Sequence, residues 1–191
     1  MTNTIIHVDG SCYNKKYIGW GMLLLRNDEH VEHHGHVVSY HLSGEHETLA
    51  ISHAIAYCYE RGIPPQDISC YCDDELLGYA PTYLHPDNYK ALRRDQIIQR
   101  MNKVQELCFP LMPSSVFEYY LKEMRITKLK GHKNEVYQER VNFLAKYEST
   151  TAGGLLKEFE DYDTWLNKGF INYGPERKAS TYYPHFTSPE T

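Results

Sequence analysis

Thr4-Ile5-Ile6-His7-Val8-Asp9 is a β-rich run that ends in Gly10-Ser11, a turn signal, and it sets a first strand with an acid at its far end. Working outward, Gly19-Trp20-Gly21-Met22-Leu23-Leu24-Leu25 and residues 31–40 read as two further strands, with Asn27-Asp28-Glu29 turning between them. Short loops join the three, which predicts an antiparallel meander. Ser43 is then a candidate helix N-cap. Glu47, Ala50, Ile51, Ala54 and Cys58 recur at helical spacing until Gly62-Ile63-Pro64-Pro65 stops the helix. Ile68-Ser69-Cys70-Tyr71-Cys72 is a short apolar strand closing on Asp73-Asp74-Glu75. A strand reached through a helix lies parallel to one already in the sheet.

Downstream, residues 87–108 form a long helix with Tyr89, Leu92, Met101, Val104 and Cys108 on its stripe and Lys90, Arg93, Arg94, Arg100 and Lys103 off it. Ser115-Val116-Phe117-Glu118 is a capping-box pattern opening a second helix with Phe117, Tyr120, Leu121 and Met124 inward. A fifth strand over 125–130, a Gly131-His132 turn and a last helix over about 136–148 follow. The expected fold is α/β: a five-stranded mixed sheet, three strands antiparallel and two parallel, flanked by helices. Residues 1–148 make the domain, with the basic helix at about 87–108. Residues 149–191, opening on Thr150-Thr151-Ala152-Gly153-Gly154 with a short helical pattern near 155–162, form an extension that is docked on the domain or disordered at its end. There is no internal repeat.

The chain has 191 residues with 41% hydrophobic and 24% charged content, enough for one good core and little for two. Its mean hydropathy of −0.59, with no apolar run longer than a strand, leaves nothing able to cross a bilayer. Met1-Thr2-Asn3-Thr4-Ile5 lacks a basic stretch followed by an apolar core, so no secretory signal and a cytoplasmic location are expected. The five cysteines, Cys12, Cys58, Cys70, Cys72 and Cys108, show no C-x-x-C pair and read as reduced, mostly buried hydrophobes. Net charge is −5, unevenly spread. Basic against acidic residues number 4 to 11 over 1–80, 12 to 7 over 81–147 and 4 to 7 over 148–191. An acidic region that could gather metal ligands thus shares a chain with a basic region that could hold a polyanion.

The order of elements puts Asp9 at the end of the first strand, Glu47 at the start of the first helix and Asp73 at the end of the fourth strand, with Asp74 the rival for that place. Neighbouring strand ends with a helix lying across them let such distant carboxylates converge. Three of them within about 4 Å would repel by on the order of 4 kcal/mol per pair at an effective dielectric of 20, so the cluster calls for cations. Hard divalent ions with oxygen ligands answer best, Mg²⁺ first.

Asp9-Gly10-Ser11, Gly19-Trp20-Gly21, Glu47 with Leu49-Ala50, Tyr71-Cys72-Asp73, Lys130-Gly131-His132 and Gln138-Glu139-Arg140-Val141-Asn142-Phe143-Leu144-Ala145 together resemble type 1 ribonuclease H over residues 4–147. The strength lies in order and spacing: Glu47 stands 38 residues after Asp9, and Asn142 stands 10 after His132, as in compact members of that family. The resemblance implies a ribonuclease H-like fold and an endoribonuclease that hydrolyses the RNA strand of RNA·DNA hybrids with two Mg²⁺ ions, Mn²⁺ standing in, to give 3′-hydroxyl and 5′-phosphate ends. It implies that Asp9 bridges both metals, that Glu47 and Asp73 complete one site, and that His132 assists proton transfer or product release. The family's fourth carboxylate falls on Asn142, which offers an amide oxygen without charge, and Glu139 one turn earlier is a candidate to compensate. Ser43-Gly44-Glu45-His46 also replaces the family's frequent Asn-containing contact to the hybrid, on which telling RNA from DNA depends.

Ser11, Asn14 and Ser43 beside the strand ends, the basic helix with Lys90, Arg93, Arg94, Arg100 and Lys103, and Lys128, Lys130 and Lys133 make up the implied nucleic-acid face, gripping phosphates without reading sequence. The plainer alternatives are capping acids for the triad, a turn residue for His132 and a helix's wet side for the basic residues. His30, His33, His34 and His36 invite a zinc reading, but without helical spacing or cysteine partners they read as a solvated strand face. The tail aromatics Trp165, Phe170, Tyr173, Tyr182, Tyr183 and Phe186 read as packing, with base stacking the alternative. A monomer is expected, with the tail available to a protein partner. The rival to the nuclease is a ribonuclease H-fold binding or scaffold module with a weakened site; a third reading keeps the chemistry and changes the substrate to double-stranded RNA or structured DNA.

Overall fold

β1 (Thr4–Tyr13) and β2 (Tyr17–Arg26) pair antiparallel from Thr4↔Arg26 to Tyr13↔Tyr17, and β3 (Glu29–Val38) pairs with β2 from Tyr17↔Val38 to Arg26↔Glu29. The computed structural model describes residues 3–87, 91–129, 136–153 and 177–178. The first hairpin turns on Asn14 and Lys15 at φ 51° and 57°, the second on Asn27 at φ 55°, left-handed conformations that match the twist of the strands they join. β4 (Ile68–Cys72) lies parallel to β1, and β5 (Arg125–Lys128) parallel to β4. The five strands run β5-β4-β1-β2-β3, the expected mixed sheet. A two-residue strand, β6 (Arg177–Lys178), adds a sixth, parallel to β3 at His30 and Val31.

One face of the sheet carries α1 (His46–Glu60), α4 (Ala91–Cys108) and α5 (Ser114–Glu123), reached through two single-turn helices, α2 (Glu75–Gly78) and α3 (Ala80–Tyr83). Ile6, Val8, Ile18, Trp20, Met22, Cys70 and Cys72 of the sheet form one core with Leu49, Ile51, Ile55, Met101, Val104, Phe117 and Leu121 of the helices. Full burial of such a side chain stabilises by about 1.5–3 kcal/mol. Helix α1 is buried along its whole length from Thr48 to Cys58, because α4 and α5 cover the flank the sheet leaves bare. The other face carries α6 (Val136–Ala152), whose apolar contact with the sheet is small: Leu23 and Val141, with Leu25 and Tyr137 beside them. All five cysteines are free, and burial pushes the thiols of Cys58 and Cys108 up to about 12.

Several local expectations are corrected. Gly10-Ser11 is not a turn, since β1 continues to Tyr13. Ser43 does not cap α1. Residues Tyr40–Leu42 form a 3-10 turn capped by Ser39, whose hydroxyl accepts from the His41 amide at 3.2 Å, and Ser43 ends that turn while Glu45 takes the N-cap position of α1. The capping box at Ser115 is not formed: Pro113 holds the N-cap position and Ser114 is already helical, which puts Glu118 too far into the helix to reach back. Leu92 is 80% exposed, because it stands five residues before Ile97 and so about 140° around the helix from the buried line of Ile97, Met101, Val104 and Cys108. Residues 88–90, with Tyr89 and Lys90, lie outside the described residues, as do the tail aromatics. The strand expected over 125–130 is seen as Arg125–Lys128, and the last helix continues to Ala152.

Candidate functional site

Alternation along β1 decides where its side chains go. Ile6 and Val8 enter the core under α1, so His7, Asp9 and Ser11 face α6. Asp9 is 2% exposed and lies opposite Gly21 of β2. Between Asp9 and α1 stands Gly10, where a Cβ would sit 2.2 Å from the His46 carbonyl oxygen and 2.7 Å from the Glu47 nitrogen. The absence of a side chain there lets the first turn of α1 rest on the strand. The Gly10 amide then donates to Asp9 Oδ1 at 2.8 Å and Glu47 Oε1 at 3.2 Å, tying the two acids to one point.

Asp73 follows directly on β4, the strand parallel to β1, and the bend there brings its carboxylate round. Ligand oxygens of Asp9, Glu47 and Asp73 all lie within 4.8 Å of one another. Asp74, the rival, points elsewhere: its Oδ1 caps α2 by accepting from the Leu77 amide at 2.8 Å, and its Oδ2 accepts from Arg100 Nη1 at 3.0 Å. Burial, the charge of Asp9, a hydrogen bond to Asp9 and the charge of Asp73 hold the Glu47 carboxyl well above the usual carboxylate range, against a smaller downward pull from the Gly10 amide. Among the described residues Glu47 Oε2 is buried with no hydrogen-bond partner. Three crowded acids, one of them resisting ionisation and carrying an orphaned buried oxygen, fit a hard divalent cation supplied from outside.

Asn142 is placed by the register of α6. Gln138 Nε2 donates to the Val8 carbonyl at 2.8 Å, its Oε1 meets His7 Nδ1 at 3.3 Å, and Ser149 Oγ bonds Ser11 Oγ at 3.1 Å. Asn142 lies on that sheet-facing line between Gln138 and Ser149, as Asp9 lies between His7 and Ser11 on the strand. Among the described residues Glu139 does not join the converged acids. Sequence reasoning missed Gln138, whose signal is a polar residue one turn before Asn142 on the same helical line, and Glu45, two residues before Glu47.

No family model and no curated protein matches the chain.

The basic residues divide. Arg93 and Arg94 are exposed on α4, with Arg93 Nη1 donating to Gln96 Oε1 at 3.3 Å. Arg100 instead meets Asp74, and its Nε lies 3.7 Å from Glu45 Oε2, while Lys103 Nζ lies 3.6 Å from Glu45 Oε1 and Lys128 Nζ 3.2 Å from Glu75 Oε2. Arg93 and Arg100 line an open cavity of about 310 Å³ with Asp74, Glu75, Leu76 and Tyr83. Ser11 and Ser43 are half-buried and Asn14 is exposed at the first hairpin's tip. Lys90, Lys130, His132 and Lys133 lie outside the described residues.

The histidine-rich strand is not one wet face. His33 is 6% exposed, tilted against Tyr57 at 4.7 Å, whereas His34 and His36 turn to the α6 side and hydrogen-bond Glu148. Alternation therefore sorts these histidines between a buried face that holds His33 and a partly open face on the α6 side, where His34 is half-buried and His36 exposed. No described helix is long and apolar enough to cross a membrane.

Proposed function

We propose that the protein is a metal-dependent endonuclease of the ribonuclease H type that cuts the RNA strand of RNA·DNA hybrids, leaving 3′-hydroxyl and 5′-phosphate ends. The observation that carries this is the convergence of Asp9, Glu47 and Asp73 within 4.8 Å, Asp9 from the middle of β1 rather than the strand end the sequence suggested, Glu47 from the first turn of α1 and Asp73 from just past the parallel strand β4. That placement agrees with the ordered motifs in the sequence that resemble the family.

In this reading Asp9, Glu47 and Asp73 hold the divalent cations, and the Asn142 amide oxygen is the neutral donor on the α6 side. Bound Mg²⁺ or Mn²⁺ supplies Lewis acidity, making water a better nucleophile and offsetting charge on the departing 3′ oxygen. The chain's own part is positioning. The Gly10 amide fixes the angle between the Asp9 and Glu47 carboxylates, and a bound cation would offset the burial and neighbouring negative charge that disfavour the ionised form of Glu47. Arg93 and Arg94 on the outer side of α4 hold phosphates of the hybrid, which sets its register and makes binding salt-dependent. The neutral Asn142 favours the second reading, a hybrid-binding module whose site no longer cuts.

A labelled RNA·DNA hybrid incubated with Mg²⁺ and then Mn²⁺, beside Asp9→Asn, tests both. Cleavage that the variant loses is the expected result. Retained Mn²⁺ binding with no cleavage by either metal would instead establish the module, and an Asn142→Asp variant that then cuts would locate the defect in that one charge.

A further inference from the structure

Arg100 was expected on the nucleic-acid face, yet its guanidinium is turned inward to two carboxylates, each close in sequence to a site acid. Nη1 donates to Asp74 Oδ2 at 3.0 Å, one residue past Asp73, and Nε lies 3.7 Å from Glu45 Oε2, two residues before Glu47. Both partners are anchored. Asp74 caps α2 through Leu77, so its position fixes the bend that presents Asp73. Glu45 accepts from Thr48 Oγ1 at 3.4 Å across the first turn of α1, the turn that presents Glu47. The α4 helix carrying Arg100 is itself held by Ile97, Met101 and Val104 in the core. One rigid planar fork therefore spans the two segments that carry Glu47 and Asp73.

We infer that Arg100 is a positioning residue for the divalent-cation site, acting through Asp74 and Glu45 to hold Asp73 and Glu47 at ligating separation, rather than a contact to nucleic acid. The inference rests on the cation-site reading above and adds to it a support set by α4. Its sign separates it from a plain charge effect. A cation beside the site repels Mn²⁺, so removing it by electrostatics alone would tighten metal binding. Loss of a positioning contact weakens it, by about 10–100-fold where such supports to a ligand are removed.

The test is Mn²⁺ titration of the full chain, read by calorimetry and by the electron-paramagnetic signal of free Mn²⁺, with unfolding followed in parallel. Arg100→Gln is expected to lose at least about tenfold in Mn²⁺ affinity. Asp74→Asn keeps an acceptor for the α2 cap but takes a negative charge from beside the site and so weakens Mn²⁺ binding by charge alone; it serves as a background, on which Arg100→Gln should cost less affinity than it does in the wild-type chain. Arg100→Lys, which keeps the charge without the two-armed fork, should recover only part. Lys103→Gln removes a cation paired to Glu45 alone and should not weaken Mn²⁺ binding. Should Arg100→Gln fail to fold, Arg100→Lys, which leaves every charge in place, carries the comparison: weaker Mn²⁺ binding supports the inference and unchanged binding overturns it. Mn²⁺ binding by Arg100→Gln as tight as or tighter than wild type overturns the inference and leaves the cation site standing. Weaker hybrid binding by that variant with unchanged Mn²⁺ affinity also overturns it, returning Arg100 to the nucleic-acid face. A wild-type chain that binds no Mn²⁺ overturns the site reading and this inference with it.

Discussion

At Gly10 a single hydrogen stands where any other residue would drive a carbon into the backbone of His46 and Glu47. No flexible side-chain tip is available to give way, so Gly10→Ala must move α1 off the strand. Overpacking of that kind costs about 1–3 kcal/mol. It also pulls Glu47 from the amide it shares with Asp9. Gly10→Ala is therefore expected to lower the urea midpoint and weaken Mn²⁺ binding together, and a variant with wild-type values of both would refute the close-approach account. The sequence carried Asp9, Glu47 and Asp73 openly through the order and spacing of its motifs, although Asp9 stands in the middle of β1 and not at the strand end that Gly10-Ser11 suggested. It concealed what Gly10 does, since an Asp-Gly-Ser step reads as a turn until the helix lying on it is known. Arg100 was hidden for a related reason: helical spacing shows which residues leave the buried stripe, not what stands across from them.

Among the elements, α6 meets the sheet through polar contacts more than apolar ones. Gly19 and Gly21 admit it closely, with virtual Cβ positions 2.0 Å from the Ala145 carbonyl and 2.6 Å from that of Val141. Along the seam run Gln138 to β1, Ser149 to Ser11, and Arg140, which is 0% exposed and grips Glu32 of β3 with Nε and Nη2 at 2.7 and 2.8 Å. Taking away the carboxylate leaves a buried guanidinium without its two-armed partner, a loss on the order of 3–5 kcal/mol, whereas replacing both by apolar residues removes the desolvation cost as well. Glu32→Leu should thus unfold at much lower urea than wild type, and Glu32→Leu with Arg140→Met should recover most of the difference. A Glu32→Leu midpoint equal to that of wild type would show the pair to be dispensable, and a double variant as unstable as the single one would refute the desolvation account. The meander, α1 and β4 were legible because each follows one clear period. The seam was not: β3 alternates His and Glu with apolar residues, which specifies two faces but not that a helix covers the second.

Stability of the whole molecule should fall on mild acidification, and two buried histidines set the window. Burial and the charge of Arg61, with a smaller contribution from His34, bring His33 down to about 4; burial and the charge of His33 bring His53 down to about 3. His53 is stacked on Trp20 at 3.7 Å with Phe109 edge-on, an aromatic surrounding that disfavours a proton's charge. Unfolded, both would titrate near 6.5, so below that value the unfolded chain binds more protons and stability declines until the folded values are reached. From pH 7 to 5.5 the two together cost about 2–3 kcal/mol. Glu148 adds a loss at lower pH: burial raises its carboxyl, but the hydrogen bonds from His34 and His36 outweigh that and bring it down to about 2, so its contribution is present above 4.5 and disappears below. Glu47 runs the other way, since its raised value lets the folded state take up a proton as pH falls. Comparing variants at two pH values cancels Glu47 and any fixed cost of substitution. His53→Gln, neutral throughout, should lose about 1 kcal/mol less stability than wild type between pH 7 and 5.5 in urea unfolding without divalent cations. An unchanged pH dependence would mean that His53 picks up its proton without unfolding the core, and His33 would then be left as the buried histidine behind the acid sensitivity.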